Sequence, residues 1–241
     1  MSEMSGRIET LPDPAALAHH VAEWMTSAAL ATKGEFRVSL SGGSTPKALF
    51  TLLASDAFIG RFPWTRVSWY WGDERFVPYD HPESNYRMTR ETMLSKAPVP
   101  RENIHPVPTD GTPDAAALRY ERTLQAAYGA TVLDPARPLF DITLLGLGPD
   151  GHTASLLPGE PVLEERKRWV VAVSHGRPEI RITMTYPVIE SSRKVAFLVA
   201  GKEKAPIFRT IRAGNSQVPA ARVRQVGELI WFVDRAAAGE G

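Results

Sequence analysis

No cysteine occurs in the 241-residue chain, so disulfides, thiolate metal sites and cysteine nucleophiles are excluded. That absence is compatible with a reducing compartment. No apolar run approaches the roughly 18 residues a membrane span needs, and the opening MSEMSGRIETLPDPAA has no apolar leader segment. A cytoplasmic protein is therefore expected. Charge of one sign is missing too: 28 Lys and Arg face 27 Asp and Glu, a formal net charge of +1. Neither nucleic acid nor a membrane surface is expected as a partner, and any positive field has to be local. The histidines fall at no H-x-x-x-H or similar spacing, so no metal is expected. Repeats, low-complexity tracts and composition breaks are also lacking. Strand-like and helical segments alternate instead, which reads as one α/β domain over 1–241, with 1–7 and 235–241 flexible.

What is present is organised around residues 141–159, DITLLGLGPDGHTASLLPG. Residues 141–145 read as a buried parallel strand that ends in a glycine-rich turn bearing Asp150 and His152. Thr153, Ala154 and Ser155 read as the start of a helix, and such strand-turn-helix junctions are where open α/β sheets bind ligands. Gly146-x-Gly148-x-x-Gly151 matches the dinucleotide pattern. Against it, Pro149 removes an N–H, Asp150 would repel a pyrophosphate, and Ser174 and His175 stand where an acid should hold a ribose. No nucleotide cofactor is expected, and the turn is better explained as one that projects Asp150 and His152.

A second chemical stretch follows the strand Phe36–Leu40: Ser41-Gly42-Gly43-Ser44-Thr45-Pro46, ahead of a helix reaching Leu53. The glycines let a ligand approach the backbone, the hydroxyls add donors, and a helix N-terminus offers unpaired N–H groups to an anion. The stretch reads as a cradle for one phosphate or, equally, as a capped βα turn; Walker A spacing is absent. After the strand Val67–Trp71, Gly72-Asp73-Glu74-Arg75 puts charges at the same sheet edge unless it is an ion-paired surface turn. Residues 77–86 form a polar loop able to cover a site, and 84–96 read as helical. Pro113–Tyr128 is a clean amphipathic pattern with Ala117, Leu118, Leu124 and Tyr128 inward. Residues 169–174, 182–185, 195–200 and 229–233 are apolar runs fit for central strands, and 202–212 read as helical.

SGGSTP after a strand, GDERFVP with HPESNY behind it, LLGLGPDGHTASLLPG, RITMTYPVI and GKEKAPIF, in this order, closely resemble the 6-phosphogluconolactonases over residues 8–233. The resemblance implies a single Rossmann-like three-layer α/β/α domain with a mainly parallel central sheet, similar to glucosamine-6-phosphate deaminase. It implies hydrolysis of 6-phospho-D-glucono-1,5-lactone to 6-phosphogluconate in the oxidative pentose phosphate pathway, without metal or organic cofactor. The partner is then a small sugar-phosphate lactone, and the protein a monomer or weak homodimer. His152 would be the general base that activates water and later protonates the ring oxygen, as an imidazole can near neutral pH. Asp150 and Asp73 would orient the base or the sugar hydroxyls. Arg75 would stabilise the oxyanion or anchor the anionic end. Gly42, Gly43, Ser44 and Thr45, with Asn85, Arg181 and Lys204, would bind the substrate and its phosphate.

Two alternatives come from the same fold. The deaminase family carries a glutamate five residues after the histidine, where this chain has Leu157, and Asp-Glu-Tyr in place of Asp73-Glu74-Arg75. An aldose-ketose isomerase needs an extra acid/base group that leucine cannot supply. A non-enzymatic sugar-phosphate sensor is expected to carry a DNA-binding helix-turn-helix, for which the residues before Ile8 leave no room. Phe76 and Leu157 replace the Trp and Phe common in lactonases, and neither touches a polar role.

Overall fold

Parallel strands buried on both faces need continuous apolar sequence, and the chain supplies it repeatedly. In the computed structural model, which describes residues 5–174, 179–214, 216–224 and 226–240, six strands pair side by side, and all but the first, a largely polar and partly exposed edge strand, carry such runs. They are β1 (Arg7–Leu11), β2 (Phe36–Leu40), β3 (Val67–Trp71), β5 (Phe140–Gly146), β8 (Ser192–Val199) and β9 (Glu228–Asp234). The sheet has the order β1-β9-β8-β5-β2-β3, every neighbouring pair is parallel, and helices cover both sides. From β2 the chain winds outward to β3, and from β5 it winds the other way to β8 and β9. The winding therefore reverses between β2 and β5, and the loops leaving their carboxyl ends flank the crevice where open α/β sheets bind ligands.

Of the four further runs expected as central strands, 195–200 and 229–233 fall on β8 and β9, and the other two do not join this sheet. Residues 170–173 (β6) and 181–184 (β7) join the three-residue strand β4 (Asp73–Arg75) in a separate antiparallel sheet, ordered β4-β7-β6. These strands are as apolar as the central ones because helix α4 (Pro113–Tyr128) covers them, so hydrophobicity alone could not assign them to a sheet. The consequence for function is direct: Asp73 and Arg75 lie in a strand, with Arg75 paired to Arg181 in register, rather than in a loose turn.

Helix ends follow their sequence signals. Asp13 caps α1 (Pro14–Ala31) by accepting from Ala16 N at 2.8 Å, and α4 runs from the Thr112 cap to Gly129, left-handed at φ 77°. Leu118 is 38% exposed rather than inward, because α4 buries Ala116, Ala117, Tyr120, Glu121, Leu124 and Tyr128 and Leu118 falls off that stripe. The expected helix over 84–96 splits into α3 (Asn85–Thr89) and a wide π-turn at Arg90–Leu94. Arg7 belongs to β1, and Arg235–Ala238 form a short helix whose Ala237 N donates to Asp234 Oδ1 at 2.7 Å. His175 lies outside the described residues. No helix among the described residues is long and apolar enough to cross a membrane.

β3 is an edge strand, and its outer side is occupied by side chain and loop. The Tyr120 hydroxyl accepts from Trp71 N at 2.8 Å and donates to Trp71 O at 3.0 Å, and His105 N donates to Trp69 O at 2.9 Å. Tyr120 is 1% exposed, so Tyr120→Phe would strand a buried peptide N–H and C=O. A loss of about 1–3 kcal/mol in unfolding free energy is expected, measured by urea denaturation.

Candidate active site

The segments that follow β2, β3, β5 and β8 at the carboxyl edge of the sheet converge on one cleft of about 200 Å3, lined by Gly42, Gly43, Asp73, Arg75, Asn85, His152, Arg181 and Lys204 among others. Eight of the predicted residues therefore meet there. Asp150 stands at the rim behind His152, while Ser44 and Thr45 are not on the cleft wall. They are the first two residues of helix α2 (Ser44–Leu53), whose cap is Gly43 at φ 104°. Their backbone N–H groups belong to the first helical turn, where no intrahelical acceptor exists. A larger cavity of about 360 Å3 beside Trp231 brings together no acid–base pair.

The turn after β5 holds the imidazole rigidly. His152 Nδ1 lies 2.5 Å from Asp150 Oδ1, and the same oxygen accepts from His152 N at 3.1 Å. An ionised carboxylate only accepts, so Nδ1 carries a proton, and in the neutral imidazole Nε2 keeps its lone pair; Nε2 has no protein partner among the described residues. Partial burial works against ionisation of Asp150, but the hydrogen bonds from His152 outweigh it and hold the carboxyl below its ordinary value. Gly148 N donates to His152 O at 2.8 Å, and a Cβ on Gly148 would sit 2.0 Å from His152 Nδ1. Only glycine fits under the ring.

The helix expected at Thr153–Ser155 does not form. Ala154 adopts φ 48°, Thr153 bridges Leu156, and Ser155 is held by tertiary contacts, its N to Thr183 Oγ1 at 3.3 Å and its Oγ to Asp73 Oδ2 at 2.7 Å. Those contacts take the groups a helix would use. They also settle the geometry of the two acids: Asp150 meets the imidazole, whereas Asp73 bonds Ser155.

The cations are placed by separate devices. Arg75 Nη1 donates to Asn85 Oδ1 at 2.7 Å and to Glu83 O at 3.1 Å, and its Nη2 has no protein partner among the described residues. Arg181, nine-tenths buried, donates through Nε and Nη2 to Glu179 Oε1 at 3.0 and 2.5 Å. Burial opposes ionisation of Glu179, but the Arg181 hydrogen bond and the nearby Arg75 charge prevail and lower its carboxyl. Lys204 ends a short 3-10 turn after β8, and that turn is tied to β9 because Gly201 N donates to both carboxylate oxygens of buried Asp234 at 3.1 Å. Residues 77–86 are pinned at their base: Phe76 N donates to Ile180 O at 2.8 Å and Ser84 N to His81 O at 3.0 Å.

Sequence reasoning passed over Ser155, Glu179 and Glu74. Each touches a predicted residue across a distance in sequence, except Glu179, which lies two residues before Arg181. Among the described residues no group of three side chains is arranged to hold a metal ion.

Comparison with known proteins agrees with this architecture. The family described as glucosamine-6-phosphate isomerases/6-phosphogluconolactonase matches residues 12–231. A 6-phosphogluconolactonase from Nostoc sp. is 39% identical over 246 residues, covering 98% of this chain and 99% of that one. The crystal structure of 6-phosphogluconolactonase from Thermotoga maritima superposes with a TM-score of 0.81 at 32% identity, over 95% of this chain and 99% of that one. A monomeric glucosamine-6-phosphate deaminase shares the fold, with a TM-score of 0.81 at 21% identity over 98% of this chain and 100% of its own. With its sequence matched nearly end to end and its fold shared, the chain belongs to the glucosamine-6-phosphate isomerase/6-phosphogluconolactonase family.

Proposed function

We propose that the protein hydrolyses 6-phospho-D-glucono-1,5-lactone to 6-phosphogluconate, a step of the oxidative pentose phosphate pathway. The observation that carries this reading is the Asp150–His152 pair facing Arg75 across one cleft, with a second guanidinium and an ammonium beside it. His152 Nε2 takes a proton from a water molecule as its oxygen attacks the lactone carbonyl carbon. The carbonyl electrons move onto oxygen, and the free N–H groups of Arg75 stabilise that charge. When the tetrahedral adduct collapses, the bond from this carbon to the ring oxygen breaks, and the imidazolium returns its proton there. Asp150 keeps the ring in one tautomer and balances the transient positive charge. The sum is addition of one water molecule, leaving a carboxylic acid and a hydroxyl.

The backbone of Gly42 and Gly43, the first-turn amides at Ser44 and Thr45, and the side chains of Arg181 and Lys204 form the phosphate site in this reading. Asn85 supports Arg75 from the side. Lys204→Ala is then expected to raise KM for the phosphorylated lactone roughly 10- to 100-fold, the worth of one charge-assisted hydrogen bond, with little change for unphosphorylated gluconolactone. Equal losses on both substrates would remove Lys204 from the phosphate site.

Leu157 is buried, five residues beyond His152, and offers no proton to an isomerase. The same reading has the protein act in the cytoplasm as a monomer or weak homodimer. The deciding experiment follows acid release from freshly prepared 6-phosphogluconolactone in chelator, with glucosamine 6-phosphate assayed beside it. Accelerated lactone hydrolysis supports the reading. Ammonia released from the amino sugar overturns it in favour of a deaminase, and binding without turnover in favour of a sensor.

A further inference from the structure

One buried acid has no part in the chemistry above. Glu74 is 1% exposed and has no cationic partner among the described residues. Instead its carboxylate accepts four hydrogen bonds. Oε1 takes Arg75 N and Asn85 N, both at 2.8 Å, and Oε2 takes Ser84 Oγ at 3.0 Å and Tyr86 N at 2.8 Å. The donors come from both ends of the loop between β4 and α3, so one side chain closes that loop. Burial pushes the Glu74 carboxyl up, against the opposing pull of the N–H groups of Tyr86, Asn85 and Arg75. A buried carboxylate without a cation is an expensive loop closure.

What this arrangement fixes is Asn85. The Asn85 side chain spans three parts of the site: Nδ2 donates to Asp73 O at 3.0 Å, Oδ1 accepts from Arg75 Nη1 at 2.7 Å, and a Cβ on Gly42 would lie only 2.0 Å from Oδ1. A shift of Asn85 by an ångström therefore moves the guanidinium and crowds or frees the glycine backbone at once. A carboxylate suits this task because it is acceptor-only and has room for all four donors. A glutamine would keep one acceptor oxygen and turn an NH2 group toward two of those donors.

We infer that Glu74 is a positioning residue: acting through Asn85, it holds Arg75 and the Gly42–Gly43 backbone in register with His152. The inference rests on the lactonase reading of the cleft. Glu74→Gln is expected to lower kcat/KM for the phosphorylated lactone roughly 10- to 100-fold, the order of loss produced by misplacing a catalytic group by about 1 Å. Both a lower kcat and a higher KM should contribute, since Arg75 and the glycine backbone move together. The test is a double-mutant cycle with Asn85→Ala on protein verified as folded by near-ultraviolet circular dichroism. If Glu74 acts through Asn85, the double variant loses little more than the worse single variant.

A merely structural glutamate would lower the melting temperature, leave kcat/KM per folded molecule unchanged, and give no coupling. Losses that multiply, or wild-type kcat/KM in folded Glu74→Gln, overturn the inference. Should Glu74→Gln fail to fold, Ser84→Ala removes one donor to Glu74, together with the cap that Ser84 Oγ gives Arg87 N, and enters the same cycle. A loss of about two- to fivefold that vanishes in the Asn85→Ala background is then expected, and a loss that persists there overturns the inference. Lack of lactone hydrolysis by the wild-type protein would instead overturn the functional reading, so the two failures are distinguishable.

Discussion

Alanine in place of His152 is expected to lower kcat for lactone hydrolysis by roughly 10²- to 10⁴-fold, the usual contribution of a positioned acid/base group, with KM little changed. The size follows from what the imidazole does alone. Among the described residues Nε2 is the unpartnered ring nitrogen, held in one tautomer by Asp150 at 2.5 Å, and no other imidazole lines the cleft. The fold should tolerate the change, because the ring stands at the cleft wall with its side chain 21% exposed. A second readout comes from Asp150, whose carboxyl is held low by His152. In the variant the imidazole's share of that hold is lost while the backbone N–H of residue 152 still donates, so the Asp150 carboxyl should titrate at higher pH in a carbon-detected NMR titration. Near-wild-type turnover would remove His152 from the reaction.

Gly148→Ala is expected to cost about 10²-fold in kcat, although it adds one methyl group and removes no functional atom. The new Cβ would fall 2.0 Å from His152 Nδ1 and 2.2 Å from Cε1. Nothing so close can persist, so the ring must swing away and give up its bond to Asp150. Gly148 is not among the left-handed glycines, so alanine is compatible with the backbone there and the nearest clash is with the imidazole. Steady-state kinetics beside a thermal melt separates this from unfolding: activity falls while the melting temperature stays within a few degrees. Wild-type kcat would mean that the ring has another productive position.

Much of this site was legible in the sequence because its residues sit at strand ends. The runs Phe36–Leu40, Val67–Trp71 and 141–145 are apolar and end in glycines, so their loops had to share one edge of a parallel sheet, and Gly42, Asp73 and His152 had to come near one another. Two kinds of feature were not legible. The first is which sheet a short apolar strand joins: Arg181–Met184 and Val170–Val173 read as central because they are apolar runs on which α4 packs. The second is the tertiary hydrogen bond that overrides local preference. Thr153-Ala154-Ser155 is compatible with a helix, yet Asp73 and Thr183 claim Ser155 first, and the left-handed Ala154 is the result. Glu74 was missed for the same reason, since its donors Ser84, Asn85 and Tyr86 lie 10, 11 and 12 residues away.

The clamp that Tyr120 places on β3 has a consequence outside catalysis. A sheet edge with open peptide groups is a template on which another chain can add a strand, and proteins that keep such an edge must guard it. Here the phenol occupies both the N–H and the C=O of Trp71, and His105 takes the carbonyl of Trp69. An incoming strand would have to displace a buried side chain before it could form its first rungs at this edge. Tyr120 thus limits where the sheet can grow, and its loss should show as a greater tendency to self-associate even at temperatures where the fold survives.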